Sequence, residues 1–174
     1  MPQERTGVIT MKGKPMTLLG PALKPGDKAP DFQTVNQALE PVTLASSHGK
    51  VRLFAAVPSL DTPVCAVETK RFGQEISKLP PNVQFYTVSA DLPFAQKRWC
   101  GAENVAVPTL SDHRSLSFAE AYGVLIKELR ILARAIFVVD SSDKVTYVQI
   151  VPEIAQEPDY DKAIMAARAA AGAK

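Results

Sequence analysis

The sequence predicts a mixed α/β sandwich, a sheet with helices packed on it. Three observations carry that prediction. Strand-like apolar runs alternate with helical patterns from Val51 to Tyr122. The run Val51–Val57 is almost continuously apolar, as a central strand buried on both faces would be. Two late runs, Arg134–Asp140 and Lys144–Val151, flank Ser141-Ser142-Asp143 and read as a strand hairpin, which makes the sheet mixed.

The elements follow in order. Two short apolar runs between Gly7 and Leu19 flank Lys12-Gly13-Lys14 and predict an N-terminal β-hairpin. Pro21–Pro30 is a loop, with Pro25-Gly26-Asp27 as its turn. Phe32–Val35 and Val42–Leu44 are short strands, and His48-Gly49-Lys50 is a turn before the strand Val51–Val57. Pro58 stops that strand. Thr62 is placed to cap a helix, and Pro63 suits its first position. Val64, Val67, Phe72, Ile76 and Leu79 give the apolar stripe of this helix, up to Pro80-Pro81. Val83–Ser89 is a second strong strand; Asp91 and Pro93 open a short helix over Phe94–Cys100. Val107–Leu110 is a short strand and Ser115–Tyr122 a short helix ended by Gly123. The alanine-rich segment Asp159–Ala171 is the final helix. This order fits a thioredoxin-like fold, a mixed central sheet flanked by helices, with residues 7–19 as an added N-terminal hairpin. The whole chain, residues 1–174, is expected to be one domain.

A chain of 174 residues with 46% hydrophobic side chains can bury a core without disulfide or metal staples. Its 20 basic and 18 acidic residues nearly balance, so neither nucleic acid nor an acidic membrane is an expected partner. No apolar run approaches the roughly 18 residues needed to span a bilayer. The start, Met1-Pro2-Gln3-Glu4-Arg5, lacks the basic-then-apolar order of an export signal, and a cytoplasmic location is expected. In that reducing compartment a permanent disulfide between the two cysteines, Cys65 and Cys100, is not. Cysteines and histidines (His48, His113) offer no C-x-x-C or H-x-x-x-H pair, so no metal site is expected. His48 reads as a solvated turn residue, and His113 has no linked motif for a Cys/His hydrolase. No G-x-G-x-x-G pattern supports a nucleotide cofactor. The cysteines are therefore inert core thiols or redox groups.

The segment Pro58-Ser59-Leu60-Asp61-Thr62-Pro63-Val64-Cys65 bears on that choice. With Thr62 as cap, Cys65 is the third helical residue, surrounded by free backbone N–H groups and the positive end of the helix dipole. Both favour thiolate, the reactive species. On placement alone Cys65 could equally be a small apolar residue on the buried face, Thr62 a plain cap and Pro58 a plain strand terminator.

Pro58-x-x-x-Thr62-x-x-Cys65 resembles the active-site motif of peroxiredoxins, and Ser59–Cys65 resembles that of their bacterial thiol peroxidase group, an atypical two-cysteine group. Gly20-Pro21 and Pro25–Phe32 are similar to the group's early loop. Ser89–Cys100 is similar to its segment bearing the second cysteine, and Leu132-Ala133-Arg134-Ala135 resembles its arginine strand. One departure is Val67-Glu68, where smaller and less acidic residues are expected. Glu68, one turn from Cys65, would oppose the thiolate, with Lys70 and Arg71 as compensating charges.

The resemblance implies a thiol-dependent peroxidase in antioxidant defence, reducing organic hydroperoxides (alkyl or lipid) and hydrogen peroxide. Cys65 is then the nucleophile and Thr62 holds a peroxide oxygen. Pro58 limits water access, and Arg134 favours the thiolate and holds the peroxide. Cys65 becomes a sulfenic acid, and Cys100 resolves it as an intramolecular Cys65–Cys100 disulfide. Thioredoxin recycles that disulfide, no metal or organic cofactor is needed, and the protein is a homodimer. Two helices on a sheet rarely bring such positions within the roughly 7 Å a disulfide needs, so helix ends are expected to unwind and Trp99 to move with them. Two rivals share the same residues: a redox sensor with little turnover, and a thioredoxin-like binding module with inert thiols. A dithiol-disulfide oxidoreductase would carry C-x-x-C, which is absent.

Overall fold

In a computed structural model, which describes residues 1–172, the chain opens with the hairpin of β1 (Glu4–Met11) and β2 (Lys14–Leu19). Lys12 and Gly13 at its tip take φ of 50° and 77°, the mirror-image turn whose twist matches a two-residue hairpin loop. The hairpin pairs onward with β8 (Leu125–Ile126) and β9 (Ile131–Leu132), giving a small sheet of order β1-β2-β8-β9. These last two strands were not expected, because two residues carry no readable period.

The main sheet has seven strands. They are β3 (Thr34–Val35), β4 (Pro41–Val42), β5 (Val51–Ala56), β6 (Val83–Ser89), β7 (Thr109–Ser111), β10 (Ala135–Val139) and β11 (Val145–Ile150). Their spatial order is β11-β10-β5-β6-β7-β3-β4, with β5, β6 and β7 parallel and the remaining pairings antiparallel. The helices are α1 (Pro63–Glu75), α2 (Pro93–Glu103), α3 (Ser117–Ala121) and α4 (Tyr160–Ala170). The mixed sheet with flanking helices is the expected thioredoxin-like arrangement. Several bounds differ: β3 and β4 are shorter than expected, β7 is shifted to Thr109–Ser111, α1 gives way to a 3-10 turn after Glu75, α3 is shorter at both ends, and α2 continues past Cys100 to Glu103, where left-handed Asn104 ends it.

Strand alternation sorts the core. On β5, Val51, Leu53 and Ala55 face one layer while Phe54 and Ala56 face the other, and all are buried. On β10, Ile136 and Val138 join the first layer, where Phe72 of α1 and Ala163 and Ala167 of α4 pack. Ala135, Phe137 and Val139 join the second, which the hairpin and α3 cover. Phe32, Phe54, Phe118, Tyr122 and Phe137 meet there as an aromatic group, each pair adding about 0.5–1.5 kcal/mol beyond area burial.

The apolar run of β5 hides one charge. Arg52 is fully buried and donates to Ser47 Oγ, the carbonyls of Leu44, Lys50 and Asp140, and Asp143 Oδ1 at 2.6 Å. It stitches β5 to the turn between β10 and β11. At the hairpin base, a Cβ at Gly20 would stand 2.0 Å from the Glu120 carbonyl oxygen, so the chain needs glycine there. Arg5 closes this junction by donating to the carbonyls of Gly20 and Gly123. Among the described residues no helix is long and apolar enough to cross a membrane.

Candidate active site

The strand β5 runs into Val57 and the buried Pro58, and the loop Ser59–Thr62 turns the chain into α1. Asp91, after β6, fixes this loop: its carboxylate accepts from Ser59 Oγ at 2.7 Å and from Leu60 N at 2.9 Å. Thr62 is the N-cap by backbone conformation, but its side chain does not cap the helix as expected. Its hydroxyl donates back to the Ser59 carbonyl at 2.9 Å. That leaves the N–H groups of Val64 and Cys65 without a protein acceptor among the described residues, which is how a helix start attracts an anion.

The buried face of α1 is not the apolar stripe read from the sequence. Val67 is 51% exposed, and the buried residues are Cys65, Glu68, Thr69 and Phe72, spaced as one helical face. The helix spends the upper half of its buried face on polar chemistry, which a hydrophobic pattern cannot reveal.

Arg134 immediately precedes β10 rather than opening it. The alternation that sends Ile136 and Val138 towards α1 sends Arg134 to the same side. Its guanidinium Nη2 lies 3.1 Å from Cys65 Sγ, its Nη1 donates to Glu68 Oε2, and its Nε donates to the Ile154 carbonyl at 3.0 Å. Arg134, Cys65 and Glu68 are all buried. Burial works against the arginine's charge, but Glu68 and Cys65 outweigh it and hold Arg134 protonated above its ordinary value.

Glu68 is thus part of the site and not a stray acid needing compensation. Lys70 pairs with Glu103, and Arg71 with Glu75 and Asp161, so neither is the counter-charge expected. Burial pushes the Glu68 carboxyl up to about 7, against the pull of Arg134, and its Oε1 has no partner among the described residues. An acid raised from 4.5 to about 7 contributes stability fully below 4.5 and loses it as pH rises through 7. Denaturant midpoints are therefore expected to fall across that window in the native chain and to stay flatter in Glu68→Gln. Parallel curves would show that Glu68 titrates alike in both states.

Cys100 lies in the last turn of α2, on the helix that follows the strand next to β5, as expected. It is half-buried, and its Sγ accepts from Gln37 Nε2 at 3.6 Å. Partial burial raises its thiol above the ordinary value, against the Gln37 hydrogen bond. No bond joins it to Cys65; both are free thiols. Cys65 belongs to a small apolar cluster with Val57, Leu60 and the buried Trp99, and Cys100 packs against that cluster. The site residues expected from the sequence thus divide. Cys65 and Arg134 are in contact; Thr62 and Pro58 frame the turn before Cys65, and Cys100 stands across the apolar cluster. Among the described residues no cluster of three His, Cys, Asp or Glu side chains could hold a metal. Sequence reasoning missed Asp91 and misjudged Glu68; the i, i+3 spacing of Cys65 and Glu68 was the available signal.

The chain resembles known proteins over most of its length. Residues 24–164 match the Redoxin family. The chain is 57% identical to the thiol peroxidase of Halalkalibacterium halodurans over 93% of its own length and 98% of that protein's. It is 53% identical to the thiol peroxidase of Bacillus subtilis, covering 92% and 96%. A crystal structure of a peroxiredoxin-like protein from Aquifex aeolicus superposes with a TM-score of 0.88 at 44% identity, covering 95% of this chain and 97% of that one. The chain belongs to the Redoxin family, within its thiol peroxidase group, and is a peroxiredoxin-type oxidoreductase.

Proposed function

We propose that this thiol peroxidase reduces organic hydroperoxides and hydrogen peroxide by a two-cysteine cycle. The observation that carries the proposal is the guanidinium of Arg134 held 3.1 Å from the Cys65 sulfur at a helix start. The Cys65 thiolate attacks one peroxide oxygen. The O–O bond breaks, sulfur is oxidised to sulfenic acid, and the other oxygen leaves as alkoxide or hydroxide, which takes a proton from solvent. Arg134 and the free N–H groups of the first turn stabilise sulfur and the oxygens as charge moves from one to the other. The Thr62 hydroxyl, which donates to Ser59, keeps its lone pairs for the peroxide's O–H, and Pro58 shields the turn. A groove of about 400 Å³ beside α1, lined by Pro63, Val64, Val67 and Ala155 with Gln156 and Glu157, offers apolar surface for the alkyl part of an organic hydroperoxide.

Cys100 then attacks the sulfenic sulfur, releasing water and leaving the Cys65–Cys100 disulfide. Cys65 is wholly buried and Cys100 is engaged by Gln37, so one or both helix turns unwind to bring the Cα atoms within about 7 Å. Trp99, in the cluster that holds Cys65 and abuts Cys100, reports the change by fluorescence. A thioredoxin dithiol donates two electrons and two protons to restore both thiols. Homodimer assembly, a cytoplasmic place in antioxidant defence and one domain over residues 1–174 complete the proposal. The test is Cys100→Ser. Its first turnover with peroxide is expected within about twofold of the native chain. Turnover with thioredoxin then stops, with the sulfenic acid persisting or oxidising further. Undiminished steady turnover would remove Cys100 from the cycle.

A further inference from the structure

We propose that Glu153 is a positioning residue for Arg134, and that the N-terminal hairpin acts on the reactive thiol through it. The inference rests on the proposal above that Arg134 acts on Cys65.

One short segment holds Arg134 twice. The Arg134 carbonyl accepts from Val151 N at 3.0 Å, and its side-chain Nε donates to the Ile154 carbonyl at 3.0 Å. The second bond fixes the guanidinium plane, so that Nη2 meets sulfur while Nη1 meets Glu68. Yet residues 152–155 belong to no strand or helix that would hold that carbonyl still. The hairpin holds it instead. β1 is the edge of the small sheet, bonded on one side to β2, and its open side receives this segment. Thr10 N donates to the Pro152 carbonyl at 2.7 Å, and Ile154 N donates to the Thr10 carbonyl at 3.0 Å.

Glu153, between those two bonds, clamps the hairpin tip. Its carboxylate accepts from Thr10 Oγ1 at 2.5 Å, Lys12 N at 2.9 Å, Gly13 N at 3.2 Å and its own neighbour Ala155 N at 3.3 Å. The bonds from Thr10 and Lys12 chiefly hold its pKa down, to about 2, so the clamp is fully charged at any working pH. The left-handed conformation of Lys12 and Gly13 is what turns their N–H groups inward to the carboxylate. The chain of bonds runs from the tip through Glu153 and Ile154 to Arg134 and so to Cys65. It also shows a use for residues 4–19, which precede the stretch that matches the Redoxin family.

The test is Glu153→Ala in the full-length protein, with Cys100→Ser as background so that only Cys65 is read. Two quantities are measured: the rate of sulfenic acid formation with an alkyl hydroperoxide, and the pH dependence of alkylation by iodoacetamide. The rate is expected to fall about tenfold, as misplacing a reacting group's partner by a fraction of an ångström does. The alkylation profile is expected to move up by about half a pH unit, which a loss of stability alone would not produce. Glu153→Gln, retaining an acceptor, restores part of both. Arg5→Leu loosens the hairpin at its opposite end and is expected to leave both quantities unchanged, even where it lowers the melting temperature. Should Glu153→Ala fail to fold, Thr10→Val removes one donor and is read in the same way. Superimposable profiles for Glu153→Ala and the parent, or an equal shift in Arg5→Leu, overturn the inference. Arg134→Met separates the two levels. If it shifts the profile and Glu153→Ala does not, only the clamp is wrong; if Arg134→Met shifts nothing, the proposed site itself fails.

Discussion

Cys65→Ser is expected to lower peroxide reduction by about 10⁴-fold or more, the loss typical of removing a covalent nucleophile. The alcohol that replaces the thiol is a far weaker nucleophile, and no second thiol stands at a helix start. Cys100, the other cysteine, sits at the opposite end of its helix, where the dipole opposes an anion. Among the described residues the side chain that donates to its sulfur is the Gln37 amide, not an arginine. Folding should survive, because serine is close to cysteine in volume and its hydroxyl can accept from Arg134. Steady peroxide consumption, followed through thioredoxin-coupled NADPH oxidation, checks the expectation. Turnover above a hundredth of native, with an intact circular dichroism spectrum, would count against Cys65 as nucleophile.

Arg134→Met is the second large effect. It deletes a donor to the sulfur and leaves the Glu68 carboxyl with no cation, so Glu68 stays protonated and the site loses its field. Removing one such preorganised donor commonly costs about 10²–10³-fold in rate, and the first step with peroxide is expected to slow by that much. Arg134→Lys should recover little. A single ammonium cannot serve Cys65 Sγ, Glu68 Oε2 and the Ile154 carbonyl together, as the planar fork does. Rapid mixing with a limiting hydroperoxide measures the step directly. A native first-step rate in both variants would leave the arginine a structural ion pair.

How far the sequence carried these conclusions depended on which physics marked each residue. The strands β5 and β10 were legible because burial on both faces makes them nearly continuous apolar runs, and β6 because Val83, Phe85, Tyr86, Thr87 and Val88 are β-branched or aromatic. The tip of the hairpin was legible because Lys12-Gly13 is turn chemistry. Strands β8 and β9 were not, since two residues have no period; they exist only by pairing, β8 with β2 and β9 with β8. Pro63 marked the start of α1, but the buried face of that helix escaped. Val64 and Val67 look like a stripe, while Glu68 is the residue that turns inward to meet Arg134. A carboxylate inside a helix is read as solvated until a partner some 66 positions away is brought against it. Arg52 was hidden for the same reason, since its partners come from the segments before β5 and after β10. Thr62 was expected to cap and does not, because Ser59 offers its carbonyl at 2.9 Å. Local pattern finds elements and turns; it does not find long-range ion pairs.

The most direct measurement is a titration. The fully reduced protein receives one equivalent of an alkyl hydroperoxide, and within seconds free thiols and intact mass are determined. Loss of both thiols with a mass decrease of about 2 Da and no covalent dimer is the predicted result, since an intramolecular disulfide removes two hydrogens. Survival of both thiols would contradict the account, because Cys65 would then not be a peroxide-reactive thiolate despite the arginine at its side.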